Sequence, residues 1–385
     1  MLRRTFGLNR ENNHFGLERY NGIIMKTDLY FMQKALKLAR KAKGRTFPNP
    51  AVGAVVVREG KIVGKGATEL CGGPHAEKLA LAQAKENAKG ASLYVTLEPC
   101  CHFGKTPPCT EQIIASGIKR VIFSVKDPNP LVSGKGAQLL EQNGIEVSEG
   151  VLKEQATELN EDFFWSITKK RAWVSLKLAM TLDGKIADTA GDSKWITEES
   201  AREYVHELRR CHAVVAVGKG TLEADDPQLT VRHKKGYCPA RIVFASDDQI
   251  SQNSYFFKHS TDTRSIVVVN GGNDSEIKKK SSIEYWYTGE TDKIGSLELF
   301  LKMAYQQNLP SIFLEGGQRV ASRFLQAGLV NRLYLFYGSK ILGDGLDGIC
   351  FSKGLLMNEC ITLKEIKHQS FGSDFLISGI PRLNL

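Results

Sequence analysis

No segment of this 385-residue chain approaches the roughly 20 consecutive apolar residues that a membrane-spanning helix needs, which excludes a helical membrane protein. The opening residues, MLRRTFGLNRENNHFGLERYNGIIMKTD, lack the apolar core and small-residue cleavage site of a secretory signal. Their arginines would suit an organelle transit peptide, but Glu11 and Glu18 count against one. Residues 1–24 are therefore expected to form a weakly ordered extension ahead of Met25. There is no internal repeat and no long low-complexity tract. Cysteine is scarce, with eight in the chain. Without a secretory signal, a reducing cytoplasmic compartment is expected, and clustered cysteines there serve metals or catalysis more often than disulfides.

What is present is the balance of a folded globular protein, 42% hydrophobic and 24% charged. The length exceeds what one compact core ordinarily holds, so two domains are expected. Charge is uneven: residues 1–150 carry 22 Lys+Arg against 13 Asp+Glu, and residues 151–385 carry 30 against 29. A basic first half could attract a nucleic acid or a phosphorylated substrate. However, Lys34, Lys37, Arg40, Lys41, Lys43 and Arg45 fall on one predicted helix and its exit, which reads as a solvated face.

Apolar residues at Leu29, Met32, Ala35, Leu36 and Ala39 predict a helix beginning at Thr27 or Asp28. AVGAVVVREGKIVGKG reads as two strands around a turn, followed by the helix HAEKLALAQAKENA, the strand ASLYVTLEP and the helix CTEQIIASG. RVIFSV, GAQLLEQNG and IEVSEG complete a first α/β domain over residues 25–150. Residues 151–170 read as one connecting helix, and alternation of strands and helices resumes over 171–385 in a second α/β domain.

The stretch EPCCHFGKTPPC, Glu98–Cys109, holds three of the eight cysteines, and GGPHAEKLA precedes it by one strand. His75, Cys100 and Cys109 then propose a zinc site, because two thiolates and an imidazole leave the fourth tetrahedral position open for water. Glu77, two residues beyond His75, would stand beside that water without ligating the metal, as a proton shuttle must. A packed core cluster or a disulfide explains the cysteines less well, because neither accounts for His-x-Glu. Cys101 competes with Cys100 as the ligand. Ordinary packing is the better reading of Cys71, Cys211, Cys238, Cys350 and Cys360.

His75-Ala76-Glu77 with Pro99-Cys100 resembles the signature of zinc nucleobase deaminases, although Cys109 lies nine positions after Cys100 instead of three. PNPAVGAVVV, HAE, TLEPCCHFGKTPPC and DPNP together look like the deaminase half of bifunctional riboflavin-biosynthesis enzymes. SLKLAMTLDGKIA, WIT, ADDPQLTVR and LEGG look like their reductase half. The resemblance implies a cytidine-deaminase-like α/β/α sandwich followed by a dihydrofolate-reductase-like α/β domain. It also implies Zn²⁺ and NADPH as cofactors. The implied reactions are hydrolytic loss of the 2-amino group from a 2,5-diamino-6-(phosphoribosylamino)pyrimidinone, then reduction of the ribosyl group to ribityl. The family pattern assigns Cys100 as the ligand, and it places substrate contacts at Asn49, His102, Lys105, Asp127 and Asn129. Thr68 stands where the family has a histidine.

In the second half, Gly218-x-Gly220 is only part of a dinucleotide fingerprint, and the Gly-Gly pair before QRVASRFL could equally be a helix-entry turn. By resemblance, cofactor contacts are Ala179, Trp195, Thr221, Asp225, Ser246 and the run beginning at Gly317. Substrate contacts are Ser193, Arg209, Leu229, Arg232 and Glu315. Arg209 and Arg232 suit phosphate clamping, since a guanidinium can bind two oxygens at once. Lys177, Asp225 and Glu315 remain alternatives for the proton that accompanies hydride transfer. A homo-oligomer acting on a small molecule is expected, with neither nucleic acid nor membrane as partner. Two competing readings are a nucleic-acid (tRNA) base deaminase with an accessory domain, and a structural zinc site joined to a ligand-binding domain.

Overall fold

The computed structural model describes residues 17–20, 23–103, 107–130, 132–232, 238–271, 275–289 and 293–383. It divides into two compact units, one comprising residues up to 42 and 51–160, the other 43–50 and 161–385. Within the stretch expected to be an extension, β1 (Leu17–Tyr20) pairs antiparallel with β2 (Ile23–Lys26).

The first unit follows the predicted alternation: α1 (Asp28–Ala42), β3 (Gly53–Arg58), β4 (Lys61–Ala67), α2 (Ala76–Ala84), β5 (Ser92–Val95), α3 (Cys109–Ala115), β6 (Arg120–Phe123), α4 (Lys135–Gln142), β7 (Glu146–Glu149) and α5 (Lys153–Leu159). The five strands run in the order β4-β3-β5-β6-β7, antiparallel across β4-β3-β5 and parallel across β5-β6-β7. The β3–β4 turn has positive φ at both central residues, Glu59 and Gly60, the geometry that matches the twist of a tight hairpin. α1 buries Phe31, Met32, Ala35, Leu36 and Ala39 on the sheet, while Lys34, Lys37, Arg40 and Lys41 face solvent as a helical period requires. Lys43 departs from that solvated-face reading. It is buried, and its ammonium lies 2.5 Å from the Asp162 carboxylate, because a cation out of water needs a close counter-charge.

The stretch expected as one connecting helix is two, broken at Asn160: α5 closes the first unit and α6 (Glu161–Lys169) opens the second. Asn160 is buried and spends its side chain on both backbone groups of Ala51.

The second unit continues with β8 (Trp173–Met180), β9 (Lys185–Ala187), α7 (Glu199–Arg210), β10 (Val214–Gly218), α8 (Lys219–Asp225), β11 (Ala240–Ala245), α9 (Tyr255–Lys258), β12 (Ser265–Val269), β13 (Ser275–Lys280), β14 (Ile283–Thr288), α10 (Lys293–Gln306), β15 (Ser311–Glu315), α11 (Gln318–Gln326), β16 (Arg332–Tyr337), β17 (Leu346–Asp347), β18 (Ile361–Phe371) and β19 (Asp374–Leu383). Ten of these strands form one sheet in the order β13-β14-β12-β11-β10-β15-β8-β16-β19-β18. Its seven central strands are parallel, and β13, β19 and β18 are antiparallel edges. Parallel strands are buried on both faces, and β10 and β12 are accordingly Val-rich and buried at every position. In such sheets ligands bind outside the carboxyl ends of the strands, where Gly218, Ser246 and Glu315 lie.

A buried polar chain spans this core. Trp173 Nε1 donates to Ser175 Oγ at 2.9 Å, Ser175 Oγ lies 2.8 Å from His212 Nε2, and His212 Nδ1 lies 2.7 Å from the Leu208 carbonyl. The neutral imidazole, donating from Nδ1 and accepting at Nε2, satisfies every group. Burial pushes the His212 pKa down to about 4, from an ordinary value of 6.5. Between those values the unfolded chain binds the proton and the folded chain does not, so acid destabilises the second unit. We expect its stability to be full above pH 6.5 and to fall by roughly 3 kcal/mol as the pH approaches 4. All four tryptophans, at 165, 173, 195 and 286, lie in this unit. Urea melts followed by tryptophan fluorescence should therefore show a midpoint that falls over this pH interval, with a shallower fall in His212→Gln.

Candidate active sites

In the first unit, His75 caps the N-terminus of α2 in an extended conformation, and Glu77 sits in that helix's first turn. α2 can lie tight on the sheet because β4 offers glycine there: a Cβ on Gly66 would come within 2.0 Å of the Ala76 carbonyl oxygen. Cys100 follows β5, and Cys109 is the first residue of α3. His75 Nδ1 lies 3.6 Å from Cys100 Sγ and 3.3 Å from Cys109 Sγ, and all three candidate ligand atoms lie within 4.8 Å of one another.

These separations suit a tetrahedral ion. With metal bonds of about 2.0–2.3 Å, tetrahedral edges are roughly 3.3–3.8 Å. Among the described residues this is the only such cluster, and it has three members. Its electrostatics also favour a cation. Cys109 donates a hydrogen bond to Cys100, and with the help of His75 this lowers the Cys100 thiol to about 4 against the opposing effect of burial. Cys109 is pushed up by the same bond and by burial. The pair thus shares one negative charge. The Cys109 amide adds a contact of 3.4 Å to the Cys100 sulfur, as helix-entry amides do for thiolates. Cys101, the competing candidate, is not in the cluster.

Glu77 is buried, and its pKa rises to about 7, first through burial and then through the Cys100 charge, with His75 opposing. A carboxyl poised there can take and return protons near neutrality. Asp127 is similarly raised to about 6 by burial, although the Asn129 amide at 2.8 Å favours its charged form. His102 has a buried Nδ1 without a hydrogen-bond partner. Thr68 is buried and structural: its Oγ accepts the Val52 amide at 3.1 Å. Asn49 falls in segment 43–50, which packs with the second unit, and its amide donates to Thr46 at 2.9 Å. Lys105 lies outside the described residues.

In the second unit, Lys177 on β8 and Glu315 at the end of β15 are direct neighbours across two parallel strands. Arg209, on α7, forks onto Glu315 through Nε and through Nη2 at 3.0 Å, and its Nη1 donates to the Thr230 carbonyl at 2.9 Å. The fork expected on a phosphate is thus engaged with a carboxylate. Burial acts to raise the Glu315 pKa, but the Arg209 and Lys177 charges outweigh it and hold the group ionised. Burial lowers the Lys177 pKa, and Arg209 adds to this, while Glu315 and Asp225 oppose.

Thr221 and Gly317 meet closely, since a Cβ on Gly317 would lie 2.7 Å from Thr221 Oγ1. Ala179 is half-buried on β8, and Ser246 follows β11, its hydroxyl donating to Asp247 at 3.3 Å. Trp195 is 60% exposed, with the Arg202 guanidinium 4.3 Å above its ring. Leu229 is buried with a positive φ, Ser193 is half-buried, and the Arg232 amide donates to His206 Nδ1 at 3.3 Å. The sequence reading did not single out His206. One helical turn before Arg209, it is pushed down to about 4 by burial, Arg209 and Arg232, and its i, i+3 spacing from Arg209 was the available signal.

Two thiols and an imidazole beside a buried carboxyl fit a zinc-dependent hydrolytic site in the first unit, while the second is a parallel-sheet unit with a charged cluster at its strand ends. Residues 25–125 match the family of the cytidine and deoxycytidylate deaminase zinc-binding region, and residues 172–377 match the RibD C-terminal domain. The riboflavin biosynthesis protein RibD of Aquifex aeolicus is 44% identical over 361 residues, covering 92% of this chain and 99% of that protein. That of Escherichia coli is 39% identical over 85% of this chain and 92% of its own length. The crystal structure of a diaminohydroxyphosphoribosylaminopyrimidine deaminase/5-amino-6-(5-phosphoribosylamino)uracil reductase from Thermotoga maritima superposes with a TM-score of 0.80 at 40% identity, over 92% of this chain and 99% of that one.

This chain belongs to the RibD family of bifunctional riboflavin-biosynthesis enzymes. Its cofactors are Zn²⁺ and NADPH, and the match along both units does not favour the tRNA-deaminase reading. No helix among the described residues is long and apolar enough to cross a membrane.

Loading metal onto this cluster must displace the Cys109 proton. Titrating Zn²⁺ into metal-free protein at neutral pH should release roughly one to two protons per ion, read with a pH indicator. Cys109→Ala should release fewer and bind more weakly.

Proposed function

We propose that the first unit deaminates the diaminopyrimidinone ribotide and that the second reduces the ribosyl group of the deaminated product with NADPH. The observation that carries this reading is the convergence of His75, Cys100 and Cys109 beside buried Glu77. His75, Cys100 and Cys109 hold Zn²⁺, which when bound makes water acidic enough to react at neutral pH. Glu77 takes the proton of the attacking water and returns protons to the ring nitrogen and to the departing ammonia. Its burial, with a pKa near 7, supports both directions of transfer. Asn49, His102, Lys105, Asp127 and Asn129 bind this substrate.

In the second unit, Ala179, Trp195, Thr221, Asp225, Ser246 and Gly317 hold NADPH, which supplies the hydride. Ser193, Arg209, Leu229, Arg232 and Glu315 bind the ribotide. Of the three candidates for proton donor, Lys177 is favoured. The Arg209 charge holds the Glu315 pKa down, which disfavours it as a proton carrier, whereas burial lowers the Lys177 pKa and eases release of a proton from its ammonium. Asp225 joins Glu315 in opposing that effect at Lys177, so it serves as a charge partner in this reading. The enzyme works as a cytoplasmic homo-oligomer on small-molecule substrates, engaging neither nucleic acid nor membrane. The exposure of Lys34, Lys37, Arg40 and Lys41 along one helix supports a solvated face there.

Two substitutions separate the units. Glu77→Gln should keep its zinc and lose deamination by ~10²-fold or more, with reduction of the deaminated ribotide intact. Lys177→Met should still quench its tryptophan fluorescence on NADPH binding, yet lose reductase kcat by ~10²-fold or more while deaminating normally. Near-normal deamination by zinc-loaded Glu77→Gln would remove Glu77 from the role.

A further inference from the structure

Glu98 leads into the Pro99–Cys100 turn and is only 3% exposed. Its two carboxylate oxygens collect four backbone N–H groups. Oε2 accepts from Asp127 at 3.3 Å and Gly134 at 2.9 Å, and Oε1 accepts from Gly136 at 3.1 Å and Ala137 at 3.2 Å. Three of these donors open α4, and the fourth belongs to the Asp127–Asn129 segment. α4 also presses directly on the turn: a Cβ on Gly136 would fall 2.1 Å from the Pro99 carbonyl oxygen. Asp127 organises the intervening segment, its carboxylate accepting the Asn129 amide at 2.8 Å while the Asn129 carbonyl accepts from Val132 at 2.8 Å and Ser133 at 3.0 Å.

One side chain therefore ties together two parts of the site that are distant in sequence. Two residues after Glu98 comes the thiol of Cys100; on the other side of its carboxylate hang Asp127 and Asn129. We propose that Glu98 is a positioning residue for deamination, holding the Asp127–Asn129 segment in register with the metal-ligand turn. The proposal rests on the reading of Asp127 and Asn129 as substrate contacts. Only an acceptor with two oxygens and no hydrogens satisfies four converging donors. Glutamine keeps the shape but must turn an NH₂ group toward two N–H groups, so one pair of amides loses its anchor.

The test is Glu98→Gln in the full chain loaded with zinc. Deaminase KM should rise ~10-fold while kcat changes less than ~3-fold. Zinc content and reductase turnover on the deaminated ribotide should match wild type, which separates positioning from a general loss of fold. Amide hydrogen exchange should show reduced protection at Asp127, Gly134, Gly136 or Ala137. An unchanged KM in the zinc-loaded variant overturns the proposal, as does wild-type protection at all four amides. If Glu98→Gln does not accumulate folded, Gly136→Ala keeps the carboxylate but pushes α4 off the turn, and it should raise KM in the same way; a wild-type KM there also overturns the proposal. A wild-type chain that binds zinc but does not deaminate the ribotide instead sinks the substrate reading, and the exchange data still decide whether Glu98 is the anchor.

Discussion

Two cysteines and a buried carboxyl packed around one imidazole cannot each carry the charge their chemistry prefers. In the protein alone, the hydrogen bond between them lowers the Cys100 thiol and raises that of Cys109, and burial with the Cys100 charge raises Glu77 to about 7. A divalent cation resolves the conflict by taking the place of protons. Much of the first unit serves to bring these groups together. α2 lies close enough to the sheet to present His75 and Glu77 because β4 carries glycine at 64 and 66, and α3 begins at Cys109 with its amide on the Cys100 sulfur. Two residues before Cys100, Glu98 accepts amides from Asp127 and from the start of α4.

The second unit handles charge in the other way, by internal pairing. Lys177, Glu315 and Arg209 gather at the carboxyl ends of adjacent parallel strands and on the helix beside them. Bidentate pairing with Arg209 holds the Glu315 pKa down despite burial, while burial lowers that of Lys177 beside it. One chain thus holds a site whose groups suit a metal and a site whose charges pair with one another.

The metal centre was legible in the sequence because His-x-Glu and the cysteine pair are chemically unusual at those spacings. The β3–β4 hairpin and the period of α1 were legible for the ordinary reason that one face is buried and the other wet. Other features left no such trace. β18 is an eleven-residue edge strand whose middle residues are exposed on both faces, so it shows no alternation to read. Lys43 looks like the rest of a basic run, and only its distant partner Asp162 explains its burial. Arg209 was legible as a cation but not as the partner of Glu315, 106 positions away. Glu98 lay within the quoted motif, but its four amide donors come from residues 29 to 39 positions downstream.

The central claim is that both units act in sequence on one small molecule. The most direct measurement is the loss of NADPH absorbance after the undeaminated diaminopyrimidinone ribotide is added to zinc-loaded protein. The account predicts oxidation that needs this ribotide, stops on zinc removal and returns when deaminated ribotide is supplied to the metal-free chain. Oxidation that proceeds at full rate on the undeaminated ribotide without zinc would contradict it.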